Sequence, residues 1–160
     1  MEAGLDTGPV YAEAECPIAS DDTTITLTSA LARLGAKTLV STIPAIANGS
    51  LHPVPQPPQG VLYASKVTKS EALLDWSRPA IELERAVRAY QPWPVAETRW
   101  RGAQLRIHAA TAITGEASAE PGRIVAAGPS GFDVATGAGL LRLTRVQSAG
   151  RGVVDAAQFG

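Results

Sequence analysis

The sequence predicts two structural units: an α/β unit over residues 1–50 and a small β-barrel, closed or nearly closed, with short helices over 66–160. A stiff linker over 51–65 separates them, because prolines 53, 55, 57 and 58 fix φ and remove backbone donors. The charge balance also changes there: residues 1–60 carry 2 basic and 6 acidic side chains, and residues 61–160 carry 12 and 9. From Glu97 onward, short strand-like segments joined by glycine-containing turns predict the barrel.

The first unit should contain one strand and a helical region. In "VYAEAECPI", residues 10–18, apolar and polar side chains alternate, which predicts a half-buried strand. Asp21, Asp22 and Thr23 offer capping oxygens for a helix that follows. We expect this helix in two pieces, broken at Gly35 and kinked at Pro44.

Two short helices should begin the second unit. Residues 68–71, Thr-Lys-Ser-Glu, form a capping box before "ALLDW". After Pro79, Leu83, Val87 and Tyr90 form one apolar stripe, which Pro92 ends.

The strands that follow carry the excess of positive charge. They are predicted in "TRWRGAQLRIHAA", "GRIVAAG", "GFDVATG" and "GLLRLTRVQ", with turns at Gly102, 128–131 and 137–139. A period of two predicts a shared face for Arg99 with Arg101 and for Arg106 with His108, and Arg142 and Arg145 follow on a third strand. Such arginines can follow a phosphate backbone while Trp93 and Trp100 stack or pack, and a merely solvated face is equally compatible.

Composition excludes several classes of protein. With one cysteine, Cys16, the chain has neither an internal disulfide nor a multi-thiolate zinc site. No basic segment followed by an apolar run marks a signal peptide, and no apolar run approaches bilayer length. The expected location is the cytoplasm, and no metal site is expected.

Asp6 is the strongest candidate for a catalytic group. It stands in "GLDTGPV", where a carboxylate before Thr-Gly-Pro ordinarily caps its own turn. From the local sequence alone, the turn-capping interpretation is the stronger of the two.

The segments "GLDTGPV", "SKVTKSEALLDWSRPA", "VRAYQPWP", "PGRIV" and "ATGAGLLRLTRVQSAGRG" resemble methionyl-tRNA formyltransferases. The likeness runs in order along essentially the whole chain and matches roughly the second half of the family's length. It implies that residues 1–50 are the end of a Rossmann-like catalytic domain and that residues 66–160 are a tRNA-binding barrel similar to an OB fold. The implied reaction transfers a formyl group from 10-formyltetrahydrofolate to the amine of methionine on initiator tRNA.

The resemblance also assigns residues. Asp6 matches the catalytic aspartate, which in the family holds a histidine charged and orders a water for proton transfer. Glu2, Ala3, Gly4 and Leu5 match backbone that cradles the pterin ring. Lys66 and Lys69 fall where the family presents positive charge to tRNA, and so do the barrel arginines, Arg99, Arg101, Arg106, Arg142 and Arg145. Intact members are expected to be monomers without a membrane partner.

The sequence departs from the family in the motifs that carry catalysis and folate binding. The family's Asn-x-His motif and Ser-Leu-Leu-Pro folate segment have no counterpart, since Asn48 is the only asparagine and follows Asp6. We therefore expect that this chain by itself does not transfer formyl groups. Two other functions remain open, a fragment of a sugar-nucleotide formyltransferase and a stand-alone nucleic-acid-binding barrel.

Overall fold

The computed structural model describes residue 4, residues 6–115 and residues 119–159. They form two compact units, Met1–Ser20 with Thr26–Lys66, and Asp21–Ile25 with Val67–Gly160. The first unit includes the proline-rich segment, in which Val54 pairs with Val10 through reciprocal backbone hydrogen bonds of 2.8 Å.

The helix of the first unit, α1, spans Thr24–Ala47, and its first two residues are grouped with the second unit. The predicted break at Gly35 is wrong, because a single glycine costs only about 1 kcal/mol in a helix that continues on both sides. The predicted strand over 10–18 is also wrong. Only Val10 finds a backbone partner among the described residues, and a strand needs a ladder of partners.

Helix α1 buries none of its residues within the part of the chain that the structure describes. Leu39 is 58% exposed and Val40 is 69% exposed. An apolar helix without a buried face contributes little packing energy. The α/β character predicted for this unit therefore stays a prediction.

Of the two short helices predicted for the second unit, the one after Pro79 is confirmed and the one in "ALLDW" is wrong. Residues 73–76 are not helical, because Leu73 pairs with Glu97 and Leu74 N donates to the Glu97 carbonyl at 2.9 Å. A 3₁₀ helix spans Lys69–Ala72, where Thr68 Oγ1 donates to Glu71 Oε1 at 3.1 Å and makes no side-chain cap to the backbone. Helix α2 spans Ala80–Ala89, and its stripe residues Leu83 and Val87 are each 1% exposed.

An antiparallel sheet completes the second unit. Its strands are β1 (Glu97–Trp100), β2 (Ala103–Ile113), β3 (Ile124–Gly128), β4 (Gly131–Ala135), β5 (Leu140–Ser148) and β6 (Val154–Asp155). The order β1-β2-β5-β4-β3, with β6 on β5, makes β1 and β3 the edges among the described residues. The four predicted strand segments are thus confirmed, a two-residue β6 was missed, and closure into an OB-like barrel stays a prediction.

The core lies between α2 and one face of the sheet. Leu83 and Val87 pack into one cluster with Ile107, Leu141 and Val146, all of them essentially inaccessible. Because strand side chains alternate, the neighbours of these buried residues point to the opposite face. The core thereby sets which polar side chains the sheet presents outward.

Candidate nucleic-acid interface

The turn that holds Asp6 is fixed by its backbone. Asp6 adopts φ +54°, in the left-handed region that aspartate tolerates. Gln56 Nε2 donates to the carbonyls of Asp6 and Gly8 at 2.8 and 2.7 Å. The Asp6 side chain is exposed and accepts no hydrogen bond from the described residues, so it does not close its own turn there. Glu2, Ala3 and Leu5 lie outside the described residues.

Among the described residues, no imidazole or side-chain amide forms a hydrogen bond with the Asp6 carboxylate, and the Gln56 amide reaches only the backbone carbonyls of the turn. Asn48 accepts a hydrogen bond from the backbone of Ser50 at 3.0 Å in the turn that ends α1. His108 lies on β2 in the second unit. Within residues 6–115 and 119–159, no three histidine, cysteine, aspartate or glutamate side chains cluster as metal ligands. No helix in the same part of the chain is long and apolar enough to cross a membrane.

Most of the positive charge lies after residue 60, where 12 of the 14 basic side chains are found. Lys66 and Lys69 are exposed, the latter as the first residue of the 3₁₀ helix. Among the described residues, neither lysine forms an ion pair or a side-chain hydrogen bond. Both ammonium groups are therefore accessible to an anion.

Arg99 and Arg101 lie at the tip of the β1–β2 hairpin. The prediction that Arg101 lies on the same strand as Arg99 is wrong, because β1 ends at Trp100. Arg101 is the first residue of a two-residue turn, with φ +51°, and Gly102 follows with φ +80°. Positive φ at both turn residues suits the twist of the flanking strands. The turn places the Arg101 guanidinium over the Trp100 ring, 5.2 Å from its centroid, and leaves both arginines exposed.

Arg106 and His108 share the outward face of β2, as predicted, because Leu105 and Ile107 on either side of Arg106 point into the core. His108 Nε2 lies 2.9 Å from Gln147 Oε1 on β5. The Arg106 Nε atom is buried without a hydrogen-bond partner among the described residues. Arg145 is exposed on β5 opposite Ala109, next to the bulge.

Arg142 is bound to a partner that the sequence analysis missed. Its Nε and Nη2 donate to Asp133 Oδ1 and Oδ2 at 2.7 and 2.8 Å across the β4–β5 ladder. These hydrogen bonds hold the pKa of Asp133 below its usual 3.8 and raise the pKa of Arg142. Asp133 takes two of the five guanidinium N–H donors and offsets the positive charge, so Arg142 offers a phosphate less than an unpaired arginine does. The register of the two strands was the signal that would have paired these residues.

A cavity of about 690 Å³ opens beside the hairpin tip, and we call it the hairpin cavity. Its lining is apolar and aromatic except for Thr98, Arg99 and Arg101. Trp76 forms part of the wall and donates from Nε1 to Thr98 Oγ1 at 3.0 Å. Phe132 and Phe159 meet edge to face, 6.0 Å between ring centroids, and line the cavity as well. Its volume is typical of small-molecule sites.

Comparison with known sequences decides the family. The sequence model of the formyl transferase C-terminal domain matches residues 66–160. The chain belongs to this family. It is 47% identical over 161 residues to a methionyl-tRNA formyltransferase of Stenotrophomonas maltophilia and 45% identical over 159 residues to that of Myxococcus xanthus. Each alignment covers 99% of this chain, but only 52% of the first relative and 50% of the second. The chain therefore spans about half the length of these curated relatives and corresponds to their carboxyl-terminal part. The predicted resemblance is confirmed.

Solved structures share the fold of this formyltransferase segment. HypX from Aquifex aeolicus matches 98% of the chain and 29% of its own length with a TM-score of 0.71 at 17% identity. An N-formyltransferase from Helicobacter canadensis, in complex with folinic acid and dTDP-3-aminofucose, matches 92% and 53% with a TM-score of 0.67 at 15% identity. At such identities the likeness concerns the fold alone.

Proposed function

We propose that this chain is the tRNA-binding part of a methionyl-tRNA formyltransferase, acting on initiator Met-tRNA with 10-formyltetrahydrofolate as the formyl donor of the whole enzyme. The observation that carries the proposal is the 47% identity over nearly the whole chain to a methionyl-tRNA formyltransferase. The accessible cations of the second unit support it, because binding to a phosphate backbone depends on such charges. We further propose that the sheet closes into an OB-like barrel and that the intact enzyme is a monomer.

Of the residues that the resemblance assigns to the folate cradle, only Gly4 lies in the described part of the chain. Asp6 is exposed, and the groove of about 400 Å³ in the first unit is lined by α1 and residues 11–14, without Asp6. Binding of the donor is therefore proposed for the whole enzyme and not for this chain. The function proposed for the chain itself is to hold the RNA, while Asp6 is proposed to act only beside an imidazole and an amide from elsewhere in the enzyme.

The binding role is tested by titrating initiator tRNA into the purified chain at several salt concentrations. The logarithm of the association constant should fall linearly with that of salt, and Arg101→Gln should reduce the slope by about 1, the effect of one lost phosphate contact. Arg142→Gln is the matched control, since its guanidinium is bound to Asp133, and the slope should stay unchanged. Absence of tRNA binding by the unaltered chain would refute the role.

The catalytic assignment requires a chimera. The part of the Stenotrophomonas maltophilia relative that precedes the matched region would be joined to this chain, and formylation of charged initiator tRNA would be followed. We expect turnover from the chimera, none from the chain alone, and loss of turnover with Asp6→Asn. Asp21→Asn serves as the control, because Asp21 is an exposed carboxylate of the same charge. Full turnover by the Asp6→Asn chimera would remove Asp6 from the reaction.

A fragment of a sugar-nucleotide formyltransferase is the second candidate. The Helicobacter canadensis protein shares the fold of this chain at 15% identity, whereas the identity to the tRNA enzyme is 47%. Competition separates the two functions, because a dTDP-aminosugar should not displace tRNA from the chain if the proposed function holds.

A further inference from the structure

The hairpin cavity combines an apolar interior with cations at its mouth. Trp76, Ile124 and Phe132 line it, while Arg99 and Arg101 are exposed and form no ion pair with any described residue. A ligand that fits both features has a flat, weakly polar ring and an attached negative charge. Free nucleic-acid bases with their phosphates have this chemistry.

We propose that the hairpin cavity takes one unpaired nucleobase of the bound RNA, with the flanking phosphate at Arg99 and Arg101, an inference that rests on the tRNA-binding function proposed above. Trp100, 39% exposed at the cavity lining, supplies the stacking surface. The volume of about 690 Å³ lies within the range of pockets that enclose small ligands. The charge of the two arginines selects an anionic occupant over a neutral apolar one.

The cavity has few groups that distinguish one base from another. Thr98 Oγ1 already accepts the Trp76 indole proton, so the neutral side-chain polar groups of the lining are largely paired with each other. Stacking tolerates any base, because every base presents a π face. The cavity therefore contributes affinity for an unpaired nucleotide without choosing its identity.

The first test compares two exposed tryptophans in titrations of the full chain with initiator tRNA. Trp100→Ala should weaken binding about tenfold, a typical effect for one lost base stack, and leave the salt slope unchanged. Trp93→Ala is the control, since Trp93 is 55% exposed and lies outside the cavity lining. Ala127→Phe, which narrows the cavity from an exposed edge strand and leaves Trp100 in place, should also weaken binding.

Equal affinities for the Trp100→Ala, Ala127→Phe and Trp93→Ala variants would overturn the inference and leave the tRNA-binding function intact. A changed monomer–dimer equilibrium with unchanged tRNA affinity would also overturn it, because the occupant would then be a second copy. Circular dichroism of each variant verifies that it is folded. If Trp100→Ala does not fold, Trp100→Leu takes its place, because leucine keeps an apolar side chain and removes the aromatic stacking surface.

A second measurement separates failure of the inference from failure of the proposed function. The three indole N–H signals of Trp76, Trp93 and Trp100 would be followed by NMR while adenosine 5′-monophosphate is added. Shifts of Trp76 and Trp100 with Trp93 unmoved support the cavity even if tRNA does not bind. Three unmoved signals at millimolar nucleotide overturn it.

Discussion

The β4–β5 hairpin should depend on the glycine at position 137 for its attachment to residues 76–78. Gly137 N donates to the carbonyls of Trp76 and Arg78 at 2.9 and 3.1 Å. A Cβ at this position would lie 1.7 Å from the Ser77 carbonyl oxygen, which is a backbone atom and has no rotamer by which to withdraw. Gly137→Ala must therefore separate the two segments.

The cost follows from those contacts. Overpacking of this kind costs about 1–3 kcal/mol, and the hydrogen bond that the single Gly137 N–H shares between the two carbonyls contributes about 0.5–1.5 kcal/mol. We expect Gly137→Ala to lower the free energy of unfolding of the second unit by about 1.5–4.5 kcal/mol. Gly128→Ala is the control, because a Cβ there meets no atom within 4 Å, and it should change stability by less than about 0.5 kcal/mol.

Tryptophan fluorescence during urea unfolding is the assay. All three tryptophans, Trp76, Trp93 and Trp100, lie in the second unit, so their emission reports this unit alone. A midpoint for Gly137→Ala equal to that of Gly128→Ala would show that the hairpin does not contact residues 76–78 as described. Because Trp76 lines the hairpin cavity, the same variant should also weaken nucleotide binding.

Two further changes test the core and its charges. Leu83→Ala, at a position 1% exposed, should cost about 2–5 kcal/mol in urea unfolding, whereas Leu73→Ala, 53% exposed, should cost far less; equal costs would contradict the core assignment. Asp133→Asn should destabilise the second unit at neutral pH. Since the folded pKa of Asp133 lies below its unfolded value near 3.8, the ionised form supplies stability above that pH, and the stability is lost as pH falls through the folded pKa. A pH series of unfolding curves should therefore show wild type and variant converging in acid, and a constant difference would refute the ion pair.

The second unit could be predicted from the sequence because its signals are local. Alternation in the segments that became β2 and β5, with glycines at their ends, was sufficient to locate those strands. The pairing of strands is not local, so the Asp133–Arg142 contact and the two-residue β6 were missed. The position of Arg101 was missed for another reason: Arg-Gly is an uncommon sequence for a turn that needs positive φ twice.

The first unit could not be predicted to the same degree, because its conformation depends on partners that local sequence does not name. Apolar and polar side chains alternate along residues 10–18, as they do in a strand with one buried face. Of these residues, however, only Val10 pairs with another segment in the described part of the chain. Helix α1 likewise exposes Leu39 and Val40. The second unit has its own core, whereas the helix of the first unit has no buried residues among those described.

The two units therefore differ in the function that each can perform alone. Binding RNA needs only a stable surface with accessible cations, whereas acid–base chemistry needs Asp6 held in place against other groups. This difference is why we propose binding for the chain itself and catalysis only together with further protein.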